Sequence, residues 1–127
     1  MKELTKAEEE IMHILWKLEQ AFVHDIIEQM PEPKPAYNTV STIVRIMEKK
    51  GFVDHNAYGK THQYYPLISK DQYSKGFLKG FVKDYFANSY KNMVSFFSQN
   101  EKLSHKEIEE IIEVLESQLK NDKKGHR

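Results

Sequence analysis

The chain has 127 residues, and its 19 lysine and arginine residues balance 19 aspartate and glutamate residues, so it carries no formal net charge at pH 7. This length suits one domain, or a small domain with an appended interaction element, and leaves little room for a large enzyme core. Cysteine is absent, which excludes disulfides, thiolate metal sites and a cysteine nucleophile. No apolar run approaches the roughly 20 residues that span a bilayer, and the N-terminus lacks the apolar core of a signal peptide, so a soluble cytoplasmic protein is expected.

The first elements in chain order are two helices separated by a short extended segment. Thr5 and Glu8 have the spacing of a capping box, and an apolar stripe follows them to about Glu19. Residues 21–23 are too short a run for a helix and predict a small strand or extended link. Residues 24–30 predict a short helix, which must end at the proline-rich stretch that follows because proline cannot continue it.

The third predicted helix, residues 37–50, has two different faces. One face carries apolar residues at helical spacing and is expected in the core, with Tyr37 as an anchor at its start; the stripe is Val40, Ile43, Val44 and Met47. The other face carries short hydrogen-bonding residues of poor helix propensity, followed by longer cations. Its members are Asn38, Ser41, Thr42, Arg45 and Lys49. Short side chains that donate and accept suit base edges, and longer cations suit phosphates, so this face predicts a DNA recognition helix.

A hairpin is predicted directly after this helix. Gly51 is expected to end the helix in a left-handed conformation. Two extended segments, residues 52–57 and 62–66, flank a turn at residues 58–61. Three helices followed by a hairpin is the order of a winged helix-turn-helix. The tip of its wing would present three residues to the DNA backbone or minor groove, namely Lys60, Thr61 and His62.

The C-terminal part of the chain predicts further helices with more apolar side chains than a monomer can bury. Residues 69–90 predict a helix with aromatic residues at steps of four, a short helix follows, and Ser104 with Glu107 caps a final one. The core between three helices is too small to bury all these side chains, so a dimer interface is expected. Its predicted members are Phe77, Phe81, Tyr85, Tyr90, Phe97, Ile108, Ile111, Ile112, Leu115 and Leu119.

These elements predict a mainly α protein with two parts. Residues 1–70 form a winged helix-turn-helix DNA-binding domain, with three helices and a small β-hairpin wing, and residues 71–127 form a helical dimerisation region. The distribution of charge agrees, since five cations face two acids between residues 34 and 62, whereas six acids face two cations between residues 101 and 118. Positive charge therefore gathers where DNA contact is expected.

Catalytic, cofactor and metal sites are not expected. The six histidines form no pair at i, i+4 and no ligand pattern with a carboxylate. There is no nucleophile motif and no glycine-rich phosphate loop. We therefore expect no enzyme, no small-molecule substrate, no cofactor and no metal.

Several short motifs carry a family resemblance in combination. They are Leu4-Thr5 with Glu8, Ile11-Met12 with Leu15-Trp16, Tyr37-Asn38-Thr39-Val40-Ser41-Thr42, Glu48-Lys49-Lys50-Gly51, Gly59-Lys60 and Tyr64-Tyr65-Pro66-Leu67. The set resembles the penicillinase-repressor family of winged-helix transcriptional regulators. The resemblance is close over the first 70 residues and looser through the C-terminal helices.

This resemblance implies a cytoplasmic homodimeric repressor that covers a promoter at a palindromic DNA operator, often beside genes for β-lactam resistance or metal handling. Matched by position, the residues that would read bases are Asn38, Thr39, Ser41 and Thr42. The residues that would hold phosphates are Arg45, Lys49, Lys60 and Thr61.

The chain also departs from the family's pattern at three points. Family members often have arginine where this chain has Ile46, next to Arg45. Inducible members are cut by a membrane-bound sensor protease at an Asn-Phe bond, and the equivalent bond here joins Phe96 and Phe97, so the phenylalanine is kept and the asparagine is replaced. Copper-responsive relatives carry a C-terminal cysteine cluster, and its absence here excludes metal sensing of that kind.

One alternative function stays open at this point. A winged-helix module can serve as a protein-protein adaptor without DNA binding, using its wing and its aromatic helices as the contact surface. The near-neutral N-terminal half, which is poor in cations for a DNA-binding protein, motivates this alternative.

Overall fold

The computed structural model describes residues 3–125 and contains six helices and three strands within that range. Two compact units are present, with their boundary between Lys79 and Gly80. The elements are α1 (Lys6–Leu18), β1 (Ala21–Phe22), α2 (Val23–Glu28), α3 (Tyr37–Lys49), β2 (Val53–Tyr58), β3 (Thr61–Pro66), α4 (Lys70–Phe86), α5 (Tyr90–Asn100) and α6 (His105–Gly125). The predicted fold class is confirmed.

Helix α1 begins with the capping box that the sequence predicts. The Thr5 backbone N–H donates to Glu8 Oε1 at 2.7 Å, and the Glu8 N–H donates to Thr5 Oγ1 at 3.2 Å. Each bond satisfies a backbone donor that the first turn would otherwise leave unpaired. The apolar stripe behind this cap is fully buried in the core of the first unit, through Ile11, Met12 and Leu15.

A three-stranded antiparallel sheet closes the first unit in the order β1-β3-β2. The short run at residues 21–22 pairs with β3, which confirms it as a strand. Tyr58 pairs with Thr61, so the hairpin connection is two residues long, shorter than the predicted four. Gly59 has φ +64° in this connection, a conformation that glycine adopts without steric cost. Gly51, which ends α3, has φ +88° as predicted.

The helix predicted over residues 69–90 ends four residues early, at Phe86, and the short helix predicted after it forms as α5. Ala87 and Asn88 have φ +50° and +66°, which no α-helix accommodates, so α4 ends at Phe86. The Asn88 N–H donates to the Val82 carbonyl at 3.1 Å, and the hydroxyl of Ser89 accepts from the Asn92 N–H at 3.0 Å to cap α5. The sequence prediction placed the end of this helix too late because the apolar spacing continues past Phe86 to Tyr90.

The second unit buries very little of its apolar surface. Among the hydrophobic residues that the structure describes there, Val82 alone is fully buried.

Helix α6 begins with the predicted capping box, in which the Ser104 and Glu107 backbone N–H groups each bond to the other's side chain at 3.1 Å. Within residues 3–125, no helix combines the length and apolar character needed to cross a bilayer.

Candidate nucleic-acid interface

Helix α3 places its two faces as the sequence predicts, apart from Tyr37, which is exposed, and Ser41, which is buried. Val40, Val44 and Met47 are 0% exposed in the core of the first unit. The opposite face points to solvent, and its exposed members are Asn38, Thr39, Thr42, Arg45 and Lys49. The helix therefore presents a row of short polar side chains with cations towards its C-terminal end.

Ser41 differs from the other polar residues of α3. It is only 6% exposed, and its hydroxyl accepts a hydrogen bond from Arg45 Nη2 at 3.0 Å. This bond ties the guanidinium to the helix one turn before it and restricts the rotamers that Arg45 can adopt. Ile46, beside Arg45, is 43% exposed.

The two lysines at the end of α3 have different environments. Lys49 is exposed and makes no ion pair among the described residues. Lys50 Nζ donates to Glu8 Oε1 at 2.7 Å and to the Glu3 carbonyl at 3.1 Å, so it anchors α3 to the start of α1. Burial would raise the pKa of the Glu8 carboxyl, but the hydrogen bonds and charge of Lys50, together with the Thr5 N–H, outweigh it and lower that pKa. Lys49 is thus the lysine available to a ligand.

The three predicted wing residues also divide into two groups. Lys60 and Thr61 are exposed at the tip of the hairpin. His62 is half-buried, and its ring stacks on His55 with centroids 3.9 Å apart and planes within 8°. His55 Nδ1 in turn lies 2.8 Å from Glu48 Oε1 at the end of α3. The base of the wing is therefore linked to α3, whereas its tip is open to solvent.

Tyr37 corrects one expectation from the sequence. It was expected in the core, because it continues the stripe of Val40 and Val44 by one turn, but it is 43% exposed. As the first residue of α3 it lies beyond the edge of the core, where its ring packs on His24 with centroids 4.8 Å apart. An aromatic pair thus borders the polar face of α3 at its N-terminal end.

The residues predicted for dimerisation and cleavage are accessible. Phe81 is half-buried and the other nine predicted dimer residues are exposed. Five of them lie along α6 with exposures from 39% to 63%, namely Ile108, Ile111, Ile112, Leu115 and Leu119. Phe96 and Phe97 lie in α5 and are 53% and 44% exposed.

Comparisons with known proteins agree on one group of relatives. Residues 4–117 match the model of the penicillinase repressor family. The chain is 32% identical over 114 residues to the methicillin resistance regulatory protein MecI of Staphylococcus aureus strain N315, covering 89% of this chain and 93% of that protein. It is 28% identical over 123 residues to the penicillinase repressor of Bacillus licheniformis, covering 96% of this chain and 95% of that protein.

Two solved structures are also similar. The DNA-binding domain of the repressor BlaI shares 26% identity with a TM-score of 0.49, covering 57% of this chain and 94% of that domain. The CopR repressor shares 29% identity with a TM-score of 0.44, covering 54% of this chain and all of that chain.

Proposed function

The chain belongs to the penicillinase repressor family and is a transcriptional repressor, and from that premise we propose that it binds a palindromic DNA operator as a homodimer. The operator would control genes of the β-lactam resistance type, as the names of the relatives suggest. No catalytic activity is part of this function. The observation that carries the proposal is the exposed polar face of α3, which combines short hydrogen-bonding side chains with cations on a helix held rigidly by the core.

Base reading is assigned to the N-terminal half of α3. Asn38, Thr39 and Thr42 are exposed there, and each carries a short group that can donate and accept. A helix in the major groove brings such groups close to base edges, where one good hydrogen-bonded contact contributes roughly 1 to 3 kcal/mol of discrimination. Because Ser41 is buried, it is assigned no base contact, and its role is to orient Arg45.

Phosphate contacts are assigned to three cations around this surface and to the hydroxyl of Thr61. Arg45 and Lys49 lie further along α3, and Lys60 and Thr61 lie at the tip of the wing. These contacts do not depend on base sequence, and they release condensed counterions from the DNA. Each lost phosphate contact would therefore weaken binding to all sequences alike and reduce the dependence of affinity on salt.

Dimerisation is assigned to the apolar side chains of the C-terminal helices. The α6 stripe of Ile108, Ile111, Ile112, Leu115 and Leu119 is exposed, and so many apolar residues on one helix face are costly in water. Pairing with the same stripe of a second copy would bury them in a two-fold interface. A two-fold dimer also supplies the second α3 that a palindromic operator requires.

Relief of repression is assigned to cleavage between Phe96 and Phe97 by a membrane-bound sensor protease. The bond lies in α5, before the whole of α6, and both side chains are exposed. Cleavage would separate the α6 stripe from the DNA-binding unit and so remove the contribution of the dimer to operator affinity. Replacing Phe96 by asparagine restores the Asn-Phe bond of the family, so Phe96→Asn is expected to be cut faster by such a protease than the natural chain.

Selection of bound duplexes from a random pool tests the DNA assignment. The expected product is an inverted repeat whose half-sites are centred about one helical turn, or roughly 34 Å, apart. Selection should be lost in a Thr42→Ala, Asn38→Ala double variant with unchanged thermal stability. Recovery of no common sequence, together with salt-independent binding to random duplex, would favour the adaptor function instead.

A further inference from the structure

Three oxygen and nitrogen ligands converge where α3 meets the wing. Glu48 lies in the last turn of α3, and Asp54 and His55 lie in β2. One ligand atom from each of the three lies within 4.8 Å of the other two. We propose that Glu48, Asp54 and His55 bind one divalent transition-metal ion of the Zn²⁺ type.

The distances between these atoms suit a shared ion. His55 Nδ1 lies 2.8 Å from Glu48 Oε1 and 4.0 Å from Asp54 Oδ1. Two ligands bound to one Zn²⁺ at about 2.1 Å lie about 3.3 Å apart, which falls between these two distances. The third separation, between the ligand oxygens of Glu48 and Asp54, is at most 4.8 Å, so side-chain rotations would bring the three atoms onto one ion.

The surroundings of the three residues favour binding as well. The side chains of His55 and Glu48 are 25% and 32% exposed and that of Asp54 is 51% exposed, so an ion can enter from solvent. The Asp54 carboxylate accepts a hydrogen bond from the His55 N–H at 2.8 Å, which fixes its direction. The ring of His62 stacks on His55 and restricts the orientation of that imidazole. Contacts of this kind orient the residues that bind a metal directly.

The chemistry of the ligand set selects the class of ion. An imidazole with two carboxylates suits Zn²⁺, Mn²⁺ and Co²⁺, and these three protein ligands leave at least one position for water. Mg²⁺ prefers oxygen ligands in a strict octahedron and is expected to bind poorly. The sequence prediction of no metal rested on the lack of a histidine pair at i, i+4 and of a carboxylate in a known ligand pattern. This cluster has neither spacing, because it joins Glu48 to a histidine seven positions later through the turn after α3.

Metal binding would join the recognition helix to the wing. Glu48 moves with α3, and Asp54 and His55 move with β2, so an ion held by all three fixes the first wing strand against the end of the helix. The metal titration needs no DNA, so its result is independent of whether the chain binds DNA.

Isothermal titration of the full chain with Zn²⁺ at pH 7.5 tests the site, with Mn²⁺ and Mg²⁺ titrated separately. One Zn²⁺ per chain is expected. Glu48→Gln keeps the size of the side chain and its hydrogen bond to His55 but loses the carboxylate, and it should weaken Zn²⁺ binding by at least about tenfold, as should His55→Gln. His105→Gln, an exposed histidine of α6, is the matched control and should bind Zn²⁺ as the wild type does.

Other results would overturn the assignment. These are the absence of a one-to-one Zn²⁺ complex in the wild type, or equal affinities in wild type and Glu48→Gln. A loss of binding in His62→Gln without a loss in Glu48→Gln would assign the ion to the stacked histidines instead. If His55→Gln does not fold, the Co²⁺ visible spectrum of the wild type and of Glu48→Gln provides the same comparison. None of these results would contradict the proposal that the chain binds operator DNA.

Discussion

The exposed stripe of α6 gives a quantitative prediction about the dimer. Ile112 lies in the middle of this stripe and is 49% exposed in the single chain. Fully burying an isoleucine side chain contributes roughly 1.5 to 3 kcal/mol, so its exposed half has about 1 kcal/mol still to gain. A two-fold interface contains the residue twice, so Ile112→Ala should weaken the dimer by about 2 kcal/mol, or about 30-fold in dissociation constant.

Sedimentation equilibrium over a range of protein concentrations measures this dissociation constant directly. The matched control is Val114→Ala, because Val114 lies two residues along on the opposite side of α6 and is 67% exposed. It should change the dimer constant less than threefold, an effect below about 0.7 kcal/mol. A wild-type chain that stays monomeric, or equal effects of the two substitutions, would refute the assignment of this face to the dimer.

Three further predictions concern charge and pH. Lys60→Ala should lower affinity for all duplexes alike and reduce the slope of log affinity against log salt by about 0.9 per protomer. Fluorescence anisotropy measures both effects, with Lys106→Ala as the control. An unchanged slope would show that the wing tip does not contact the DNA. The pKa of Glu8 is lowered in the folded chain, so its contribution to stability is present above pH 4.5 and is lost as pH falls through the folded value. Glu8→Gln should therefore lower the free energy of unfolding, measured in urea, by about 1.5 kcal/mol at pH 7 and by much less at pH 3. Equal losses at both pH values would exclude this linkage. Burial and a hydrogen bond to Glu9 raise the pKa of Tyr73 to about 12, so its contribution to stability is present below pH 10 and is lost as pH rises through 12. An ultraviolet titration should show a tyrosine that ionises near pH 12, and Tyr73→Phe should remove that step. A titration that this substitution leaves unaltered would contradict the hydrogen bond.

Local patterns in the sequence were sufficient to predict most of the fold. The capping boxes at Thr5 and Ser104, Gly51 after α3 and the glycine of the hairpin turn each depend on residues within a few positions of one another. Such signals are readable because the hydrogen bond or backbone conformation they require involves neighbours in the chain. They predicted the order of the helices and the wing.

Contacts between distant residues explain what the sequence did not predict. Lys50 resembles Lys49 in the sequence, but it bonds to Glu8, 42 residues away, and so anchors the helix. Ser41 has the spacing of the polar face, yet it is buried in the folded chain and its hydroxyl accepts a hydrogen bond from Arg45. Glu48 and His55 meet only because the chain reverses after α3. Partners of this kind depend on how the elements pack, which no local pattern contains.

Comparison of operator and random duplex affinities for Thr42→Ala is the most direct test of the central claim that α3 reads base sequence. Thr42 is exposed in the middle of the polar face, and it makes no hydrogen bond to another described side chain that its removal would break. The wild type should prefer its selected operator, and Thr42→Ala should lower the ratio of operator to random affinity by at least about tenfold with unchanged stability. An unchanged ratio in this variant would contradict the claim.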